Sequence, residues 1–174
     1  REAILDAADL RRFRRERDIL GRFAHAGVAR LIDAGLGELG LPYLAMEYVD
    51  GQTLDCWCTQ RNANRALRLK LFAQLCEVIA AAHRQLIVHR DIKPSNVLVD
   101  HEGNVKVLDF GIARLIDDDA ANRTDALMLT PGYGAPEQRR GDMPTPASDV
   151  FALGVLLREL IAAQSPPCKP GDTW

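Results

Sequence analysis

The chain has 174 residues, 47% hydrophobic and 26% charged, the balance of an ordinary globular protein and not of a disordered or fibrous one. Its 22 Lys+Arg against 24 Asp+Glu leave a net charge of −2, which supplies no general pull towards nucleic acid or anionic lipid, so partners must be chosen by a site. No run reaches the roughly 18 apolar residues that a membrane span needs, and residues 1–16 are too charged for a signal peptide, so a cytoplasmic chain is expected.

From Leu10 the apolar residues Leu10, Phe13, Ile19, Leu20 and Phe23 fall at helical spacing, closed by Gly27. Glu16 comes three residues after Phe13 and four before Leu20, which sets a carboxylate on or beside the inward face, with Arg11, Arg12, Arg14 and Arg15 crowded around it. An exposed Arg12–Glu16 pair at i,i+4, worth roughly a few tenths of a kcal/mol, accounts for the same spacing. Two short apolar runs follow at 28–32 and 43–46, joined by a glycine-rich stretch over 34–40, and read as a hairpin. Glu47-Tyr48-Val49-Asp50-Gly51 breaks that pattern. A long amphipathic helix then carries Leu67, Leu71, Leu75, Val78 or Ile79, Ala82 and Leu86 on one stripe. The change from strands to helices puts a lobe boundary near Asp50. A loop, a second hairpin, a polar stretch with Asp117-Asp118-Asp119 and a helix over 148–162 complete the order, and the proline-rich tail from Ser165 cannot continue that helix.

Cys56, Cys58, Cys76 and Cys168 offer only the pair Cys56-x-Cys58 close in sequence, which is not the spacing of a structural zinc site, even with His83 drafted as a third ligand. Reduced, non-catalytic thiols are expected. His25 and His101 read as turn residues.

The chemistry concentrates in Val88-His89-Arg90-Asp91-Ile92-Lys93-Pro94-Ser95-Asn96 and in Val105-Lys106-Val107-Leu108-Asp109-Phe110-Gly111. Residues 97–99 and 105–108 are β-rich runs joined by a turn with Gly103, a hairpin whose open end carries Asn96 and Asp109. Paired strands would bring that amide oxygen and that carboxylate together, and few hard oxygen ligands with room for water and phosphate oxygens suit Mg²⁺. Asp91, five residues before Asn96 in a proline-stiffened loop, can face the same cleft, and Lys93 adds a cation. A base, a positive charge and two magnesium ligands together describe phosphoryl transfer, where catalysis is positioning plus charge neutralisation.

This segment resembles the protein-kinase signature, an H-R-D…N catalytic loop followed by D-F-G. The resemblance covers nearly the whole chain. It implies an α+β, bilobal kinase-like fold, with residues 1–50 as the remainder of the small lobe and hinge and residues 51–174 as an incomplete large lobe. It further implies ATP and Mg²⁺ as cofactors and a protein substrate with a Ser or Thr acceptor, with no nucleic acid and no membrane contact within this chain. Asp91 would orient the substrate hydroxyl and accept its proton, Lys93 would steady the transferring phosphoryl group, and Asn96 and Asp109 would hold the magnesium ions. Glu16 becomes the helix carboxylate that pairs with an ATP-gripping lysine. Leu44-Ala45-Met46-Glu47-Tyr48-Val49 looks like the last small-lobe strand entering the hinge, with Met46 as gatekeeper, the backbones of Glu47 and Val49 towards adenine, and Leu98 also on the nucleotide side.

Thr130-Pro131-Gly132-Tyr133-Gly134-Ala135-Pro136-Glu137 resembles the stretch closing the activation segment. Thr130 stands where the family has a threonine touching the catalytic loop, which leaves Thr124 as the candidate phosphosite and Arg90 as its pairing charge. Asp149 resembles the helix-start aspartate that accepts hydrogen bonds from the catalytic-loop backbone; a plain first-turn acid favoured by the helix dipole is the simpler account. Lys93-Pro94-Ser95-Asn96 with Thr130 is similar to serine/threonine kinases, and Arg30-Leu31-Ile32-Asp33-Ala34-Gly35 to bacterial members.

The family's glycine-rich phosphate loop and strand lysine would precede the helix of Glu16, and its later helices would follow Ile161, so this stretch by itself is expected to transfer little or no phosphate. Two other classes remain open at this point. A pseudokinase-like binding module, or an inactive remnant, would engage partners without transfer, and a small-molecule kinase of similar fold would lack the Ala135-Pro136-Glu137 segment.

Overall fold

The computed structural model describes residues 7–37, 42–110 and 132–162. Helix α1, Ala7–Leu20, packs Phe13 (1% exposed) against Ala34, with Leu20, Leu31 and Leu44 alongside. It stops earlier than the apolar spacing suggests: Gly21 N–H donates to the Arg17 carbonyl, and Phe23 is buried from the turn beyond the helix. Strands β1, Leu31–Leu36, and β2, Pro42–Met46, form the expected antiparallel hairpin. Its first strand starts three residues later than the apolar run at Val28, and it takes in Ala34 and Gly35, because Ala34 is the residue that packs on Phe13.

A second sheet has the order β3-β4-β5, all antiparallel: β3 Gly51–Thr53, β4 Val97–Asp100 and β5 Val105–Val107. β3 has no apolar alternation, and the sequence reading misses it. Gly51 is what lets it pair, since a Cβ there would lie 2.7 Å from the Val99 carbonyl oxygen. The two sheets meet, among the described residues, at a parallel bridge between Val28 and Val107, where Val107 N–H donates to Gly27 O (2.8 Å) and Ala29 N–H to Val107 O (3.0 Å).

Helix α2, Leu54–Gln60, follows β3 directly and buries Leu54, Trp57 and Cys58. The long helix α3, Arg65–Arg84, starts where Asn64 accepts the Leu67 N–H (2.9 Å), an N-cap that satisfies one of the open first-turn donors. Leu71, Leu75, Val78, Ile79 and Ala82 form its buried stripe, as the spacing predicts. Leu86 is a correction: it lies past the helix end at φ +60 and is 91% exposed. A short helix α4, Pro136–Arg139, and the final helix α5, Pro146–Ala162, complete the order. α3, α5 and the inner face of β4 and β5 share one large core. Cys58 and Cys76 are free, and burial pushes both thiols up. Cys56 is disulfide-bonded, which corrects the expectation of a reduced thiol.

Leu75 is fully buried at the centre of that core. Leu75→Ala is expected to lower stability by about 2–5 kcal/mol, from lost apolar burial and the cavity left behind, measured as a urea midpoint shift at unchanged slope.

Candidate active site

The β4–β5 hairpin carries the first part of the site. A 3₁₀ turn at Pro94–Asn96 leads into β4, and Leu108 N–H donates to the Asn96 carbonyl (2.9 Å), extending the ladder by one pair. Val97 pairs with Val107, so Asn96 stands opposite Leu108, and Asp109 comes one residue later than a simple side-by-side reading places it. There the chain turns: Asp109 has φ +46, in the left-handed region. Arg90, on the other side of the site, has φ +72. Each such non-glycine residue costs about 1–3 kcal/mol and persists only where its surroundings hold it.

Asp91 is tied to both neighbours named with it. Lys93 Nζ lies 2.7 Å from Asp91 Oδ2, and Asn96 Nδ2 donates to Asp91 O (2.9 Å) and to Oδ2 (3.1 Å). Because Nδ2 is committed to Asp91, the Asn96 atom left for a cation is its carbonyl Oδ1. With the Asp109 carboxylate that makes a hard, all-oxygen donor pair, which fits Mg²⁺ and not a soft-ligand metal.

His89 sits behind this loop, 1% exposed. Its Nε2 lies 3.0 Å from the Leu108 carbonyl, which can only accept, so Nε2 carries the hydrogen; Nδ1 then accepts from Asp91 N–H (3.3 Å). Burial pushes the imidazole below its ordinary range, against the opposing pull of Asp149. Its ring packs 4.7 Å from that of Phe110, which meets Phe23 edge-on at 5.6 Å and 81°. The residue after Asp109 is thereby wedged between the loop of His89 and the turn that follows α1.

The loop's backbone is fastened from below by Asp149, in the first turn of α5 and 1% exposed. One carboxylate oxygen accepts Arg90 N–H (2.8 Å), and the other accepts His89 N–H (2.8 Å) and contacts His83 Nε2 (2.8 Å). The helix-start carboxylate therefore does more than complement a dipole, and His83 belongs to it and not to the cysteines.

Met46, Val49 and Leu98 come together in one apolar cluster with Ala29 and Leu108. Leu98 is 1% exposed and backs the cluster from β4. Glu47 N–H is committed to Arg30 O (2.8 Å), so its carbonyl is the backbone group left for a ligand. Its carboxylate accepts Arg30 N–H (3.1 Å) and lies 3.6 Å from Lys106 Nζ; chiefly the Arg30 bond holds it below the usual carboxylate range. Met46 also lines a small open cleft whose walls include Phe23, Leu31, Leu44, Asp109 and Phe110.

The backbone of Glu16 lies in α1, but its side chain is outside the described residues, as are Thr124 and Thr130. The sequence reading also misses a knot around α4. Gln138 Nε2 donates to Arg90 O (2.9 Å), Gln138 Oε1 accepts Ala135 N–H (3.0 Å), Ser148 Oγ donates to Glu137 (2.6 Å), and Tyr133 hydrogen-bonds Glu159. The spacing Ala135-Pro136-Glu137-Gln138, with Gln three residues into a proline-started turn, is a capping signature that points to it.

Residues 2–173 match the protein kinase domain family. The chain is 41% identical over 161 residues to the serine/threonine-protein kinase PrkC of Bacillus subtilis, covering 90% of this chain and 24% of that protein. It is 38% identical over 160 residues to the serine/threonine-protein kinase PknB of Mycobacterium leprae (89% and 26%) and 35% over 161 residues to a probable PknB of Corynebacterium glutamicum (89% and 25%). The chain thus spans about a quarter of the length of these curated relatives.

Removing the Asp149 carboxylate leaves two backbone N–H donors without their acceptor, so Asp149→Ala is expected to lower stability by about 3–5 kcal/mol in urea unfolding. A second expectation concerns pH. With His89 held neutral and its folded pKa below the unfolded value of about 6.5, the unfolded chain binds the proton first as pH falls. The His89 contribution to stability is therefore complete above that pH and declines below it. Imidazole ¹⁵N shifts should show a neutral, Nε2–H ring at pH 6; a protonated ring there contradicts the assignment.

Proposed function

The chain belongs to the protein kinase family, and from that premise we propose that it carries the phosphoryl-transfer part of a serine/threonine protein kinase site, moving the γ-phosphate of ATP to a protein Ser or Thr hydroxyl. The observation that carries this reading is the convergence of Lys93 Nζ and Asn96 Nδ2 on the Asp91 carboxylate at the mouth of the hairpin that bears Asp109. Asp91 accepts the hydroxyl proton while the substrate oxygen bonds to the γ-phosphorus and the bond to the ADP oxygen breaks. Lys93 neutralises charge gathering on the transferred group. The family works with ATP and Mg²⁺. Asn96 Oδ1 and Asp109 are the groups here that would hold the metal, which supplies charge neutralisation at the phosphates.

Met46, the Glu47 carbonyl, Val49 and Leu98 form the adenine side of this reading. Residues 1–50 are then the small-lobe portion with its hinge and 51–174 the large-lobe portion. Glu16 pairs with the ATP-binding lysine, Thr130 contacts the catalytic loop, and Thr124 is the phosphosite read by Arg90. The supply of ATP places the site in the cytoplasm; among the described residues, no helix is long and apolar enough to cross a membrane. A binding-only reading is not favoured, since it has no use for a carboxylate bound by both a lysine and an amide beside a second carboxylate.

The test is transfer of labelled γ-phosphate to Ser/Thr peptides by the full-length gene product. Asp91→Asn is expected to reduce kcat by about 10²- to 10⁴-fold, the range for losing a positioned base, with chelation of Mg²⁺ abolishing transfer. An Asp91→Asn protein as active as the unaltered one removes Asp91 from the role proposed.

A further inference from the structure

We propose that Gln138 is a positioning residue for the catalytic loop: its side-chain amide sets the peptide group that delivers Asp91. The inference rests on the kinase reading for its catalytic consequence, but its structural basis is independent of that reading.

Arg90 is the residue immediately before Asp91, and it adopts φ +72. A left-handed residue with a long side chain has no local preference for that shape, so it is kept by its surroundings, the bonds to its two backbone polar groups among them. Asp149 Oδ1 holds the N–H from the side of α5 (2.8 Å). Gln138 Nε2 holds the carbonyl from the side of α4 (2.9 Å). The Arg90 carbonyl and the Asp91 N–H belong to the same planar peptide group, so the bond from Gln138 fixes the tilt of the plane from which the Asp91 side chain departs. The same N–H donates to His89 Nδ1 at 3.3 Å, a long bond that orients the plane weakly by itself.

Gln138 is itself immobilised. Its Oε1 accepts Ala135 N–H (3.0 Å) in the first turn of α4, so the amide has one orientation in which both of its ends are used. Among the described residues, the turn that leads into α4 is thereby linked to the peptide before Asp91 through the Gln138 side chain.

Gln138→Glu separates positioning from simple helix capping. Glutamate keeps the acceptor for Ala135 N–H and is the favoured residue at this place in a capping box, so a capping role alone predicts no loss. Positioning predicts loss, because a carboxylate cannot donate to the Arg90 carbonyl and repels it. In the full-length protein, Gln138→Glu is expected to lower kcat about tenfold or more with KM for ATP within about twofold, the signature of a misplaced group rather than of weaker binding. Amide exchange across residues 88–92 is expected to quicken in Gln138→Glu and in Gln138→Met, read by mass spectrometry. Unchanged kcat in an active enzyme, or unchanged exchange in that segment in both variants, overturns the proposal. If the unaltered protein transfers no phosphate, the kinase reading fails, and the exchange measurement alone still decides whether Gln138 holds the loop.

Discussion

A buried carboxylate, Asp149, organises the loop that carries Asp91. Asp149 accepts the N–H groups of His89 and Arg90 and contacts His83 Nε2, all at 2.8 Å, while being 1% exposed. A carboxylate in that setting is tolerated only when its lone pairs are used, and the loop above it can hold its shape only while the carboxylate is there. The dependence runs both ways. From His89 it spreads to the Leu108 carbonyl and the Phe110 ring, and from Arg90 to the peptide that presents Asp91. Because Asp149 stands on α5 and His83 on α3, the packing of those two helices bears directly on where the loop that carries Asp91 lies.

Much of this was legible in the chain itself, for physical reasons that differ from element to element. The stripe of Leu71, Leu75 and Ile79 announced α3, since helical periodicity and burial are the same fact seen twice. The β4–β5 hairpin followed from β-branched runs around a glycine turn. Its exact register did not: whether Asn96 faces Leu108 or Asp109 depends on a single hydrogen bond beyond the last paired residues. β3 was invisible because Gly51-Gln52-Thr53 carries no hydrophobic signal and exists only through its partner β4. Leu86 continued the apolar spacing by one more turn, yet the helix had ended, and periodicity has no means of marking its own end without a cap residue to stop it.

The site showed the same division. Asp91, Lys93 and Asn96 are close in sequence, and short separations leave few geometries, so their convergence could be anticipated. Gln138 reaches Arg90 across 48 positions, and His83 reaches Asp149 across 66. Contacts of that span depend on how helices pack, which no local pattern encodes. The one local hint for Gln138, its place in a capping turn, explains its oxygen but not its nitrogen.

The seam at Val107 has a kinematic consequence. Its N–H and carbonyl both engage residues 27 to 29, and its neighbour along the strand opens into Leu108 and Asp109. Movement of the α1 and β1–β2 portion against β4–β5 is restrained here by two backbone hydrogen bonds two residues from Asp109, and again where Met46 packs with Leu98 and Leu108, so both walls of the cleft are referred to the same pair of strands.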